Sequence, residues 1–185
     1  MNAMIRRLML LASPAVMLLS SCVGDSAVEE NAKRYSEWKD RNELYFLQQE
    51  ALTDEAGQPY FERIIPSWAP AAYTLIKWHN DRSLTAGNLQ PLDNSTVEFT
   101  YELFDIDGRR IQDSFANTDS VYSARPNSNI VGVWTALTNM HVGDTVSVII
   151  PSQAGYGGVS NGNILPYSTL IYNIKLKSIS AYQTK

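Results

Sequence analysis

The sequence reads GVWTAL at 132–137, MHVGD at 140–144, IPSQAGYG at 150–157 and ILPYSTLIY at 164–172, and these four runs decide the fold. The first run predicts a short helix between Val133 and Met140, which the glycine of the second run closes. The other two flank a Gly-rich turn region, and the last of them opens an apolar stretch rich in Ile, Leu and Tyr. A short helix followed by strand-like segments is therefore expected at this end of the chain.

Strand patterns extend outward from these runs. Segments rich in Val, Ile, Thr and Tyr alternate apolar with polar residues at Tyr73 to Trp78, Thr96 to Phe104, Thr145 to Ile150 and Thr169 to Ile179. Asp107-Gly108 follows the second segment and is a strong hairpin signal. The pattern predicts an α+β fold, in which an antiparallel sheet packs against one short helix.

The region before the sheet has a different periodicity. From Ala27 to Leu52 the sequence contains no Gly or Pro, and aromatic or large side chains recur every three or four residues. One N-terminal helix is predicted, with its aromatic stripe packed on the same domain; the alternative is a face that binds a partner. Thr53 to Pro70 contains several Pro residues and is predicted to be an extended linker.

The first residues have the layout of an export signal. Arg6 and Arg7 precede an uncharged run from Leu8 to Leu19, which is too short to span a bilayer. Leu19-Ser20-Ser21-Cys22 resembles the lipobox of bacterial lipoproteins. We therefore expect residues 1–21 to be removed and Cys22 to carry a lipid that anchors the protein to a membrane of the cell envelope, either in the periplasm or at the surface.

This gives three predicted segments: a signal peptide at 1–21, a tether, helix and linker at 22–70, and the folded domain at 71–185. Small polar residues from Val23 to Ser26 suggest the tether.

Composition and motifs exclude several kinds of site. The formal charge of −4, from 15 basic and 19 acidic residues, offers no basic footprint for nucleic acid. Cys22 is the only cysteine, so no disulfide or thiolate metal site is expected. His79 and His141 have no partner at a ligand spacing, and the loop after Asp105 lacks the glutamate that completes a calcium loop. No nucleophile motif or phosphate-binding loop appears, and neither cofactor nor metal is expected.

The four C-terminal runs resemble, in order and spacing, the FKBP-type peptidyl-prolyl isomerase domain. Upstream, Val97 to Tyr101 and Asp107 to Ile111 resemble the first hairpin of that family, with its V-x-Y-x-G and D-G-x-x-F-D-S patterns. The similarity extends from about Tyr73 to Ile179. It implies a bent antiparallel sheet wrapped around a short helix, with an apolar pocket between them.

The resemblance also implies the site residues. Tyr156 and the N–H of Ile130 would meet the substrate carbonyls as the catalytic pair. The pocket would further be lined by Phe99, Ile111, Val133, Ile164 and Tyr172, with Tyr122 as an additional aromatic wall.

Three positions depart from the family pattern. Val133 stands where the family has a tryptophan, and Trp134, one residue later, would point about 100° away on the helix. Phe99 stands where the family has a tyrosine in its first strand. Gln112 stands at the place of the aspartate, unless Asp113 reaches it by a one-residue slip.

Two functions therefore remain open from the sequence. The first is a lipid-anchored prolyl isomerase that acts on proline-containing exported polypeptides. The second is a catalytically weakened FKBP-like module that holds a protein or glycan partner at the envelope; for a glycan, a stacking surface could be built from Trp68, Tyr73, Trp78 and Tyr167.

Overall fold

The computed structural model describes residues 23–115 and 120–182. The predicted signal peptide and the predicted lipidation site at Cys22 lie outside these residues. Within the two described ranges, no helix combines the length and the apolar character needed to cross a membrane.

The core of the molecule is one antiparallel sheet. Its strands are β1 (Glu62–Ile64), β2 (Thr74–Trp78), β3 (Thr96–Phe104), β4 (Arg110–Asp113), β5 (Tyr122–Ala124), β6 (Thr145–Ile150) and β7 (Leu170–Ala181). They are ordered β1-β2-β6-β7-β3-β4, and β5 pairs with β3 beside β4. The predicted antiparallel sheet and the hairpin at Asp107-Gly108 are confirmed, and β3 and β6 have the predicted bounds.

Strand β3 organises the sheet. Every second residue of β3 is buried, as the alternation predicts. One edge pairs with β7 over the length of the strand, and the other pairs with β5 at its start and β4 at its end. The β3–β7 register shifts between Thr96 and Val97 and again between Glu98 and Phe99. Such bulges bend a sheet, and here they lie in the strand that lines the candidate site.

A short helix, α3 (Val131–Asn139), packs on β6 and β2. Its side chains Val133, Ala136 and Leu137 are buried in the main core. Gly132 allows the close approach, because a Cβ at this position would lie only 2.4 Å from Cγ2 of Ile150 in β6. The predicted short helix is confirmed.

The N-terminal region forms two helices, α1 (Val23–Arg34) and α2 (Ser36–Glu50). The predicted N-terminal helix is confirmed, but it is divided in two. The break is at Tyr35, whose φ of −111° and ψ of 23° depart from helical values. No Gly or Pro marks this position in the sequence. Helix α1 also begins at Val23, so the segment predicted to be a small polar tether is helical.

The inner face of α2 packs on the domain, as predicted. Asn42 and Phe46 are buried, and the Phe46 ring lies 5.4 Å from that of Tyr73. On the opposite face Leu44 and Leu47 are exposed.

The segment predicted to be a linker contributes to the sheet. Strand β1 pairs with β2 at the sheet edge, with Arg63 opposite Leu75. The Trp78 indole N–H donates to the Glu62 carboxylate at 2.7 Å, which ties the two strands together on one face. The sheet therefore begins at Glu62, before the strand at 74–78.

Candidate active site

A cavity of about 380 Å3 lies between the start of α3 and the inner face of the sheet. Its volume is within the range of small-ligand pockets. It is lined by Phe99, Tyr101, Gln112, Tyr122, Ser128, Asn129, Ile130, Val133, Tyr156, Asn161 and Tyr172. Each lining residue is uncharged, so the cavity suits a neutral ligand.

Aromatic side chains from three strands form the walls. Tyr122 of β5 meets Phe99 and Tyr101 of β3 edge to face, with ring centroids 5.5 and 5.7 Å apart. Tyr101 in turn lies 5.8 Å from Tyr172 of β7. Offset and edge-on pairs of this kind are favourable and hold one another in place. The cavity is therefore a preformed aromatic bowl.

The floor is aliphatic. Val133 of α3 is almost fully buried, and its side chain reaches the cavity. Trp134 points elsewhere: its indole N–H donates to the Asp93 carboxylate at 2.6 Å and its ring stacks on Trp68 at 4.4 Å. The helical rotation between adjacent residues thus removes the tryptophan from the bowl, as the sequence predicted.

Two hydrogen-bond donors flank the bowl, the backbone N–H of Ile130 and the hydroxyl of Tyr156. Ile130 is the N-cap of α3, and its C=O accepts from the Trp134 N–H at 3.0 Å. Its own N–H has no hydrogen-bond partner among residues 23–115 and 120–182, and it lies at the positive end of the helix. Tyr156 is half-buried on the opposite loop.

The hydroxyls of Tyr156 and Tyr101 remain protonated at neutral pH. Burial raises the pKa of Tyr156 above its ordinary value of 10.0, and the neighbouring Tyr122 raises it further. Burial also raises the pKa of Tyr101, as do Tyr122, Tyr156 and Asp113. A buried hydroxyl loses solvation when it ionises, so these groups act as neutral hydrogen-bond donors and acceptors.

Gln112 and Asp113 both lie near the position where an acid was considered. Gln112 lines the cavity. Asp113 is half-buried, like Ile111 two residues before it on β4, and it lies close enough to Tyr101 to raise the pKa of that hydroxyl. It also accepts from the Phe115 N–H at 2.8 Å and lies 3.5 Å from the Arg110 guanidinium. The site can therefore seat an apolar ring and offer hydrogen bonds to carbonyls, with Asp113 beside its Tyr101 wall.

Comparison with known proteins identifies this arrangement. Residues 87–177 match the family model described as FKBP-type peptidyl-prolyl cis-trans isomerase. This part of the chain is therefore similar to an FKBP-type domain. The FKBP-type peptidyl-prolyl cis-trans isomerase FkpA of Escherichia coli is 29% identical over 89 residues, which are 48% of this chain and 33% of FkpA. The chain thus spans about a third of the length of the curated relative it matches.

Solved structures share the FKBP-type fold. A peptidyl-prolyl cis-trans isomerase from Pseudomonas syringae superposes with a TM-score of 0.59 at 21% identity, over 84% of this chain and 95% of the other. The crystal structure of Escherichia coli FkpA gives a TM-score of 0.64 at 22% identity, over 87% of this chain and 68% of FkpA. At these identities the comparison establishes the fold.

The bowl brings together most of the residues selected from the sequence. Phe99, Ile130, Val133, Tyr156 and Tyr172 line it, and so does Tyr122. Ile164 and Ile111 do not line it: Ile164 is only 5% exposed within the core, and Ile111 packs against the core from β4. These two side chains support the bowl from behind.

Four lining residues were not selected from the sequence. Tyr101 lies two residues after Phe99 on the same face of β3, so the first strand does supply a hydroxyl to the bowl. Strand alternation could have identified it, because residues i and i+2 share a face. Ser128, Asn129 and Asn161 lie in turns at the rim, where no periodic signal exists.

Proposed function

We propose that this domain catalyses cis–trans isomerisation of peptide bonds that precede proline. The observation that carries the proposal is the uncharged aromatic bowl with the unpartnered Ile130 N–H at its edge. The barrier to be lowered is about 18–20 kcal/mol and arises from the resonance of the planar amide. No nucleophile is needed for this reaction, because no covalent bond is broken.

The proline ring occupies the bowl above Val133, between Phe99 and Tyr172. Removal of water from the amide disfavours the charge-separated resonance form that keeps the bond planar, so the twisted state is stabilised relative to the planar one. The Ile130 N–H and the Tyr156 hydroxyl donate to carbonyls on either side of the rotating bond. Each 1.36 kcal/mol of preference for the twisted state is worth a factor of ten in rate.

The substrates are proline-containing exported polypeptides, and the site of action is the cell envelope. The support is the N-terminal sequence, in which the charged pair, apolar run and cysteine have the order of a lipoprotein signal. Lipid on Cys22 would then hold the domain at a membrane. Cys22→Ser is expected to move the protein from the membrane to the soluble fraction; membrane retention of the variant would contradict the anchor.

The isomerase proposal is tested with residues 23–185 on X-Pro peptides. Tyr156→Phe removes one hydroxyl from the bowl, and loss of one hydrogen bond of about 0.5–1.5 kcal/mol lowers kcat/KM roughly two- to tenfold. Tyr60→Phe is the matched control, since Tyr60 loses the same hydroxyl from an exposed ring outside the bowl. An uncatalysed rate with the parent protein over several X residues would refute the proposal.

The second candidate is a binding module that retains the fold. The observation in its favour is Val133, because a short aliphatic floor makes fewer contacts with a proline ring than an indole would. Val133→Trp discriminates the two: turnover rises if the bowl is an active site with reduced contacts, and stays at the uncatalysed rate if it only binds a partner.

A glycan partner has less support than a protein partner. Three of the rings considered for stacking already have a face covered within the domain. Arg63 and Arg82 lie 3.7 Å from the ring centres of Tyr73 and Trp78, and Trp68 stacks on Trp134.

A further inference from the structure

The loop that carries Tyr156 has little regular structure of its own. This Tyr156 loop (residues 155–169) connects a 3-10 turn at Ser152–Ala154 to β7 and also supplies Asn161 to the bowl. Its internal pairing includes the bridge between Asn161 and Ile164. Segments with few internal contacts open easily, so the position of Tyr156 depends on what the loop packs against.

Helix α2 holds the end of the loop through Asn42. The Asn42 side-chain Oδ1 accepts from the Thr169 backbone N–H at 2.7 Å, and the Asn42 backbone C=O accepts from the Thr169 hydroxyl at 3.0 Å. Its Nδ2 donates to the Trp38 C=O at 2.7 Å, which fixes the orientation of the amide. Asn42 is completely buried. An apolar side chain at position 42 would leave the buried Thr169 N–H without its acceptor, whereas the Thr169 hydroxyl would keep the backbone C=O.

Three further hydrogen bonds join the helices to the same loop. The Trp38 indole N–H donates to Ser168 Oγ at 3.1 Å, the Tyr167 hydroxyl donates to the Val28 C=O at 3.0 Å, and Asn31 Nδ2 donates to the Gly158 C=O at 3.0 Å. Both α1 and α2 therefore contact the loop at several points.

The contact reaches Tyr156 through Tyr167. The Tyr167 N–H donates to the Gly157 C=O at 2.8 Å, directly after Tyr156 in the chain. The Tyr167 ring packs on Gly158 so closely that a Cβ there would lie 2.7 Å from the Tyr167 hydroxyl oxygen. Tyr167 also has a φ of +61°, a conformation that non-glycine residues rarely adopt. The surrounding contacts must hold it there, and α1 and α2 supply part of them.

We propose that α1 and α2 position the Tyr156 loop for catalysis, with Asn42 as the central positioning residue. This inference rests on the proposed isomerase function, because it assigns to the helices the placement of the Tyr156 hydroxyl. Asn42 acts through Thr169 and the loop, and it is not one of the residues that line the bowl.

The test compares Asn42→Ala with Gln48→Ala in the full chain purified in detergent. Gln48 is the matched control, since it is an exposed side-chain amide on the same helix. Asn42→Ala is expected to make amide exchange in the Tyr156 loop about tenfold faster, while exchange in β3 stays unchanged. It is also expected to lower kcat severalfold with a smaller change in KM, because the transition state loses a placed hydroxyl. Gln48→Ala should match the parent in the exchange rate of the Tyr156 loop and in kcat.

Three outcomes would overturn the proposal: loop exchange equal in the two variants, faster exchange with unchanged kcat, or an equal loss of kcat in the control. If the parent shows no isomerase activity, the proposed function fails, and the exchange measurement alone decides whether the helices hold the loop. If Asn42→Ala does not fold, Tyr167→Phe replaces it, because it removes the bond to the Val28 C=O and keeps the ring on Gly158.

Discussion

The packing of α3 on the sheet makes Gly132→Ala a sharp perturbation. The added Cβ would lie 2.4 Å from Cγ2 of Ile150 and 2.7 Å from its Cδ1. Ile150 is fully buried, and a β-branched side chain has few alternative rotamers. Either α3 must move away from β6 or the Ile150 side chain must leave its preferred geometry.

The expected loss of stability follows from two opposing effects. Overpacking of this kind costs about 1–3 kcal/mol. Alanine in place of glycine within a helix returns up to about 1 kcal/mol. A net destabilisation of about 1–2 kcal/mol is expected. Since Ile130 and Val133 flank Gly132, the same movement displaces the proposed donor and the floor, and a misplacement of about 1 Å can reduce a rate by up to a hundredfold.

The assay is urea unfolding of the parent, Gly132→Ala, Ile150→Ala and the double variant, with the isomerase rate measured beside it. If the clash is the cause, Ile150→Ala removes it. The double variant should then lose about 1 kcal/mol less unfolding free energy than the two single losses added together. For Gly132→Ala, the urea concentration at the unfolding midpoint should fall, while the slope of the unfolding free energy against urea concentration stays unchanged. Strictly additive losses, or a Gly132→Ala variant as stable as the parent, would refute this account of the packing.

Three further results are expected. Burial opposes ionisation of Asp144, but hydrogen bonds from Thr85, the His141 N–H and Asn80 lower its pKa below the ordinary 3.8. The stability that this carboxylate contributes is present above pH 3.8 and is lost as pH falls through the lower pKa of the folded state. In urea titrations, Asp144→Asn should therefore be less stable than the parent at pH 7 and lose less unfolding free energy on acidification. Ile164→Ala should cost about 2–5 kcal/mol in unfolding free energy, because the side chain is core rather than pocket surface; a change confined to KM would contradict this. The isomerase rate should stay flat as pH rises towards 10.0, since the pKa of Tyr156 is raised above that value; a decline beginning below it would show that a different group titrates.

The fold was largely predictable where burial is periodic. Strand β3 alternates buried and half-buried residues without a break, so its bounds could be derived from the sequence. Strand β1 has only three residues and none of them is buried, so no alternation marked it and the segment was interpreted as linker. The break at Tyr35 had no sequence signal, because neither Gly nor Pro lies at this position.

The candidate site was predictable where it lies on regular elements. Phe99, Val133 and Tyr172 are on strands and a helix, where the resemblance could be matched position by position. Tyr101 was missed because the first-strand tyrosine of the family pattern was matched to Phe99, which lies two residues earlier on the same face. The rim residues come from turns, whose side-chain directions depend on contacts distant in sequence.

The sheet order has a practical consequence for anyone who would express the family-matched region alone. Strand β2 pairs along β6 yet lies before residue 87, where the family match begins. A fragment of residues 87–177 would therefore leave the backbone of β6 unpaired along one side. Bare strand edges recruit other chains, so this fragment is expected to aggregate. Expression boundaries for the domain should be set upstream of Glu62, where hydrogen bonding of the sheet begins.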